Sequence, residues 1–164
     1  MMRPHDFARL LDGHAPALIL FARQWCAAPE DVVQDAFVKI VTMHPPPADP
    51  VAWLYRVVRN GALDARKTAR RRRERESVAA RPERWFREPD VEGLDAAAAV
   101  AALQRLPLVQ REPIVARLWG GLSFDQIGAV AGCSASTAHR RYSAGLDALR
   151  KELGVPCPTR SPTA

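Results

Sequence analysis

The chain has 164 residues, a length that suits one ordinary domain or two small ones, and 48% of them are apolar, enough to bury cores and to argue against a wholly disordered chain. Lys and Arg number 24 against 18 acidic residues, a net charge of +6, which favours polyanionic partners without choosing between nucleic acid and an anionic membrane surface. No apolar run approaches the roughly 18–20 residues that span a bilayer. The segment from Met1 to Asp12 lacks the apolar core and small-residue cleavage site of a signal peptide, so a cytoplasmic protein with no membrane partner is expected.

Apolar spacing is helical almost everywhere, which predicts an all-α fold. Two short amphipathic segments, Pro4–Leu11 and Pro16–Cys26, are expected on either side of Gly13. Pro29 opens a stronger helix that runs to about Met43, because proline suits a first helical position. His44 to Pro50 holds four prolines and reads as a stiff loop. A long helix follows from about Val51 into the Arg70–Arg73 run. Pro82, Pro89 and Gly93 then break the pattern, so a flexible linker is expected over 77–96, between an N-terminal helical unit at 1–76 and a second at 97–153. The linker prolines give way to a helix from Leu94 to Arg105. The next helix is expected from near Gln110 to Trp119, which puts Pro113 in its first turn. Ser123 with Gln126 is a capping-box pair, Gly132 a left-handed stop, and Ser134 the cap of a last helix to about Leu153. The Pro-, Ser- and Thr-rich tail at 154–164 is expected to be disordered.

Chemistry-bearing clusters are sparse. Cys26, Cys133 and Cys157 are far apart and form no C-x-x-C pair, and the four histidines are scattered, so neither a metal site nor a cofactor is expected. Asp6, Asp12 and His14 come nearest to a catalytic group, but surface scatter explains them, and no catalytic residue is assigned.

Two helices joined through Gly132-Cys133, after a third, have the layout of a helix-turn-helix. Ala138, Tyr142, Leu146, Leu149 and Leu153 recur at helical spacing and should pack inward, against Ile127 and Ala131. Ser136, Thr137, His139, Arg140 and Arg141 then lie at the exposed start of the last helix, with side chains that bond base edges and phosphates. An antiparallel helix pair with a polar outer face would leave much the same pattern, so this feature alone indicates a DNA reader without saying which.

The Glu30–Met43 helix has an apolar stripe, Val33, Ala36, Phe37, Ile40 and Val41, and an acidic patch of Asp31, Gln34 and Asp35 that is either simply solvated or docks a basic protein surface. In the long helix Leu54, Val57, Val58, Gly61, Ala62 and Ala65 form the buried side, while Trp53, Arg56, Asn60, Asp64 and Lys67 share another face. An aromatic ring with basic and amide groups suits unstacked single-stranded bases, although a Trp wedged between helices would look alike. Arg66, Lys67, Arg70, Arg71, Arg72, Arg73 and Arg75 follow, a density that favours phosphate contact.

Pro29-Glu30-Asp31-Val32-Val33-Gln34-Asp35-Ala36-Phe37 resembles the polymerase-docking helix of extracytoplasmic-function (ECF) sigma factors. Trp53-Leu54-Tyr55-Arg56-Val57-Val58-Arg59-Asn60, with Asp64, resembles their promoter-melting and −10-reading helix. Leu106-Pro107, Arg111-Glu112 and Gly121-Leu122-Ser123-Phe124-Asp125-Gln126-Ile127 resemble their −35-reading domain. The resemblance runs from about Leu10 to Leu153, with the three motifs in order and the linker between the second and third.

It implies a sigma factor that directs core RNA polymerase to promoters and assists melting, without covalent chemistry of its own. Asp31, Gln34 and Asp35 would contact the clamp helices of the largest polymerase subunit. Trp53, Arg56 and Arg59 would hold the melted −10 strand, beside Asp64 and Lys67, with Asn60 receiving a flipped base next to the His44–Pro50 loop. Ser136, Thr137, His139, Arg140 and Arg141 would meet duplex −35 DNA. The linker would thread toward the RNA exit channel, and an anti-sigma factor is a further partner the resemblance leaves open. The sequence departs from the family at Asp35, where Glu is more usual, in its Pro-rich loop, and at Ser136-Thr137-Ala138-His139 and Ala144, so a −35 preference of its own is expected. The competing reading is a helix-turn-helix regulator that binds duplex operators without joining a polymerase.

Overall fold

Prolines open the first three helices. In the computed structural model, which describes residues 3–76 and 94–154, α1 spans Pro4–Ala22, α2 Pro29–Thr42 and α3 Pro50–Glu76. Each starts on the residue whose fixed φ and missing N–H suit a first turn. Four more follow: α4 over Leu94–Arg105, α5 over Leu108–Leu118, α6 over Phe124–Ala131 and α7 over Ala135–Glu152. No strand occurs among the described residues, in agreement with the expected all-α class. Most of the linker expected at 77–96, and the tail from residue 155 with Cys157, lie outside the described residues. The helix expected from Leu94 to Arg105 is α4, with those same bounds.

The N-terminal pair of short segments is in fact one helix, with Gly13 and Pro16 inside it. A proline inside a helix costs about 3 kcal/mol. Against this, Leu18 and Phe21 are fully buried, at about 1.5–3 kcal/mol each. Phe7, Leu10, Leu18 and Phe21 fall on one side of α1, and Phe7 meets Phe37 of α2 edge to face at 5.9 Å. Packing outweighs the local breaker. In α5 the correction has the same sense. The helix starts at Leu108 rather than near Gln110, with Pro113 in its interior. The carbonyl of Pro107 opens it by accepting from the amides of Gln110 and Arg111, at 2.9 and 3.0 Å.

α1, α2 and α3 form the N-terminal unit around Leu18, Phe21, Phe37, Ile40, Leu54 and Val58. α4 to α7 form the second around Ile114, Val115, Leu122, Ile127 and Ala138. α1 also packs on α5 and α3 on α6, so one continuous apolar cluster runs through both. Tyr55, which the motif reading left unassigned, is fully buried in it. Its ring is 5.0 Å from that of Phe21, and its hydroxyl lies against Gly120. Burial pushes the Tyr55 phenol well above its ordinary value.

Candidate nucleic-acid interface

The helix-turn-helix is built by three local devices. Ser123 accepts from the Gln126 amide at 3.2 Å while the Gln126 side chain accepts from the Ser123 amide at 2.8 Å, closing the expected capping box on α6. Gly132 stops α6 at φ 70°, a conformation that costs other residues a steric penalty. Ser134 caps α7 by accepting from the Thr137 amide at 3.2 Å.

These devices leave the start of α7 outward. Ser136, His139 and Arg140 are exposed, and Thr137 and Arg141 half-buried. His139 rests edge-on against Phe124 at 4.8 Å, and Phe124 in turn meets Tyr142 at 5.4 Å and the Arg117 guanidinium at 5.2 Å. The Thr137 hydroxyl accepts from Ser134, and the Arg141 guanidinium lies 3.7 Å from the Cys133 sulfur. Ala138 is buried and Tyr142, Leu146 and Leu149 half-buried, as the spacing predicts. Leu153 is a correction: it sits at the C-cap and is 38% exposed, because α7 outlasts the surface it packs on.

On α3, Leu54, Val58 and Ala62 are buried and Val57, Gly61 and Ala65 partly so. Arg56, Asn60, Asp64 and Lys67 are exposed on the other side, with Asp64 and Lys67 paired at 3.2 Å, and Trp53 is half-buried. The arginine run belongs to α3 as far as Glu76, and Arg70 pairs with Glu74 at 2.7 Å one turn on. In the preceding loop the Asp49 carboxylate divides its oxygens. One accepts from the Ala52 amide at 3.0 Å at the start of α3, the other from the Gln126 side chain at 2.7 Å. The Gln126 bond first, and the Ala52 amide after it, hold the Asp49 carboxyl below its ordinary value.

Arg59 departs from the expected open face. Its guanidinium donates to both Glu112 oxygens, at 2.5 and 3.5 Å, and the Glu112 side chain is only 7% exposed. Trp53 and Arg56 line a cleft of about 200 Å³ whose far wall is Ala129 and Val130 of α6. Arg111-Glu112 was legible as part of a motif, but not Glu112 as the partner of Arg59, since a charged pair at 111 and 112 does not announce which unit it faces.

Asp31, Gln34 and Asp35 are all exposed on α2. Beside them an apolar groove of about 570 Å³ runs between α1 and α2, lined by Phe7, Ile19, Val33, Phe37, Val38 and Val41 with Glu30 and Gln34 at its rim. No group of His, Cys, Asp and Glu with metal-binding geometry occurs among the described residues, and no described helix is long and apolar enough to cross a membrane.

Residues 10–72 match the model of sigma-70 region 2 and residues 102–151 that of sigma-70 region 4. The chain is 34% identical over 134 residues to the ECF RNA polymerase sigma factor SigJ of Mycobacterium tuberculosis, an alignment that takes in 73% of this chain and 41% of that relative. The chain thus spans less than half the length of the curated relative it matches. Among solved structures it is similar to the sigma factor RpoE of Bartonella quintana, crystallised with the anti-sigma factor NepR. The TM-score is 0.71 and the identity 27%, over 93% of this chain and 99% of that one. It is also similar to CnrH in complex with the cytosolic domain of CnrY, with a TM-score of 0.61 and 25% identity over 94% and 92% of the two chains.

Proposed function

Because the chain belongs to the sigma-70 family, in its ECF branch, we propose that it lends promoter specificity to core RNA polymerase and helps open the DNA. The observation that carries this reading is the presence in one chain of three surfaces. They are an outward helix-turn-helix start, an exposed α3 face bearing Arg56 and Asn60 beside Trp53, and an acidic patch on α2.

Each surface has a physical task. Ser136, Thr137, His139, Arg140 and Arg141 meet duplex DNA at −35, where hydroxyls and guanidinium groups bond phosphates and base edges. Trp53 offers a ring on which a melted −10 base stacks, Asn60 an amide for a base edge, and Arg56, Arg59 and Lys67 positive charge for the backbone, with Asp64 orienting Lys67. Asp31, Gln34 and Asp35 dock the clamp helices of the largest polymerase subunit, and the apolar groove beside them adds burial to charge complementarity. Nucleotide addition stays with the polymerase, so no catalytic residue is assigned to this chain. The likeness to a sigma factor crystallised with an anti-sigma factor supports an anti-sigma partner here as well, and a site of action in the cytoplasm, where the polymerase works.

A region 2 match over residues 10–72 is what a plain operator-binding regulator would not carry. Reconstitution tests the reading directly. The chain should co-purify with core polymerase and support run-off transcription, and Trp53→Ala should impair promoter opening more than duplex binding. Failure to bind core polymerase at micromolar concentration would overturn it.

A further inference from the structure

Seven of the ten residues from Arg66 to Arg75 are basic. They continue α3, yet all ten are exposed apart from the partly covered Ala69. The span therefore has no apolar stripe whose burial would hold it helical. Like charges also stand one turn apart at Arg66 and Arg70, at Lys67 and Arg71, and at Arg71 and Arg75, and each such pair opposes the helix. Glu74 pairs with Arg70 at 2.7 Å, which offsets one of these charges. A bound polyanion would relieve the rest.

The placement of the cations selects the polyanion. At about 100° per residue, Arg66, Arg70 and Arg73 lie on one side of α3 and Arg71 and Arg75 on the other, with Lys67 and Arg72 in the gaps. A single row of phosphates would call for one basic face. Cations all round suit a channel walled by phosphates on both sides. The major groove of duplex DNA, about 12 Å wide, admits a helix about 10–12 Å across with its side chains. We propose that the Arg66–Arg75 span of α3 is a sequence-independent binding site for duplex DNA, seated in the major groove with its cations on both walls.

Other polyanions fit less well. An anionic membrane takes up a helix through an apolar face, which this span lacks. Duplex RNA has a major groove too deep and narrow for side chains to enter. Single-stranded DNA is held partly by stacking on aromatic rings, and no aromatic residue lies between Arg66 and Arg75. The site itself stands apart from the −10 assignment, but its place on a promoter rests on it. Arg66 to Arg75 lie about 9–22 Å beyond Asn60 along one axis, so the duplex entered is the one that flanks the melted strand.

Two paired variants of the full chain test this on a 20-base-pair duplex of random sequence. Arg66→Gln with Arg70→Gln strips one side of α3, and Arg71→Gln with Arg75→Gln strips the other. Glutamine has nearly the helix propensity of arginine, so circular dichroism and melting should be unchanged. Each pair should lower the salt slope of binding by about 2 and the affinity at 0.1 M salt by about tenfold or more. Arg9→Gln with Lys39→Gln removes the same charge from exposed positions elsewhere and should leave the slope unaltered. A fall caused by only one α3 pair would overturn the groove in favour of a single phosphate row. No fall from either, or an equal fall from the control, would overturn the site. An equal or larger loss on a 20-nucleotide single strand, on duplex RNA or on phosphatidylglycerol vesicles would overturn the choice of duplex DNA. The random duplex carries no chosen promoter element, so this result and run-off transcription succeed or fail separately.

Discussion

The carbonyl oxygen of Cys133 lies 2.6 Å from the place a β-carbon on Gly128 would occupy, and the Cys133 amide donates to the Gly128 carbonyl at 2.9 Å. The turn of the helix-turn-helix is thus folded back onto the helix before it, and only a residue without a side chain permits the approach. Alanine at 128 would gain about 1 kcal/mol of helix propensity but would push against backbone atoms that cannot swing aside. Gly128→Ala should therefore destabilise the protein by about 1–3 kcal/mol, read as a lower urea midpoint. Duplex −35 binding should weaken with it. A midpoint at or above the wild-type value would show that the turn has room to relax.

The α7 cap offers a milder perturbation of the same surface. Ser134 holds the Thr137 amide and also bonds the Thr137 and Ser136 hydroxyls. Ser134→Ala should cost about 1 kcal/mol and loosen the first turn, which bears the proposed −35 contacts. Duplex affinity should fall while affinity for core polymerase is unchanged, a split measurable by filter binding and by co-purification.

Asp31 is exposed in the first turn of α2. Reversing its charge opposes the helix dipole, worth at most about 1 kcal/mol there, so Asp31→Lys should melt close to wild type. Under the docking assignment its affinity for core polymerase should drop about tenfold or more, since like charges set face to face cost several kcal/mol. Transcription at an unchanged level would remove the assignment.

Asp49 makes a pH prediction. Its carboxyl is held below the ordinary value of 3.8, chiefly by Gln126 and then by Ala52. A lowered folded value means that the stabilisation is fully present above pH 3.8 and is lost as pH falls through the folded value. The Asp49 carboxyl carbon should titrate below 3.8 by NMR, and Gln126→Ala should move its midpoint up. An unmoved midpoint would mean that the bond across the two units does not form in solution.

Much of this was legible in the residues. The capping box at Ser123, the stop at Gly132 and the cap at Ser134 are local signals, and local geometry obeys them. The stripes on α2 and α3 were readable for the same reason, since burial follows helical period. Gly13 and Pro16 misled because a breaker's local cost competes with packing that no local window contains. Arg59 misled differently. Its partner Glu112 is 53 residues away, and neither residue differs in type from one that faces water. Contacts between two units, each of which satisfies its own pattern, leave no periodic trace.

The 27 residues of α3 give it a length of about 40 Å, and its fully buried side chains end at Ala62. Beyond that, Arg66 to Arg75 are exposed apart from Ala69, which is partly covered. The helix therefore works as a beam fixed at one end, with its cations on the free span. Substituting there changes the electrostatic reach of the chain while leaving its folding nearly untouched. Under the proposed assignment, the grip of this span on a polyanion and the reading of a base near Asn60 would be mechanically separate along a single helix, so either would be free to drift without the other.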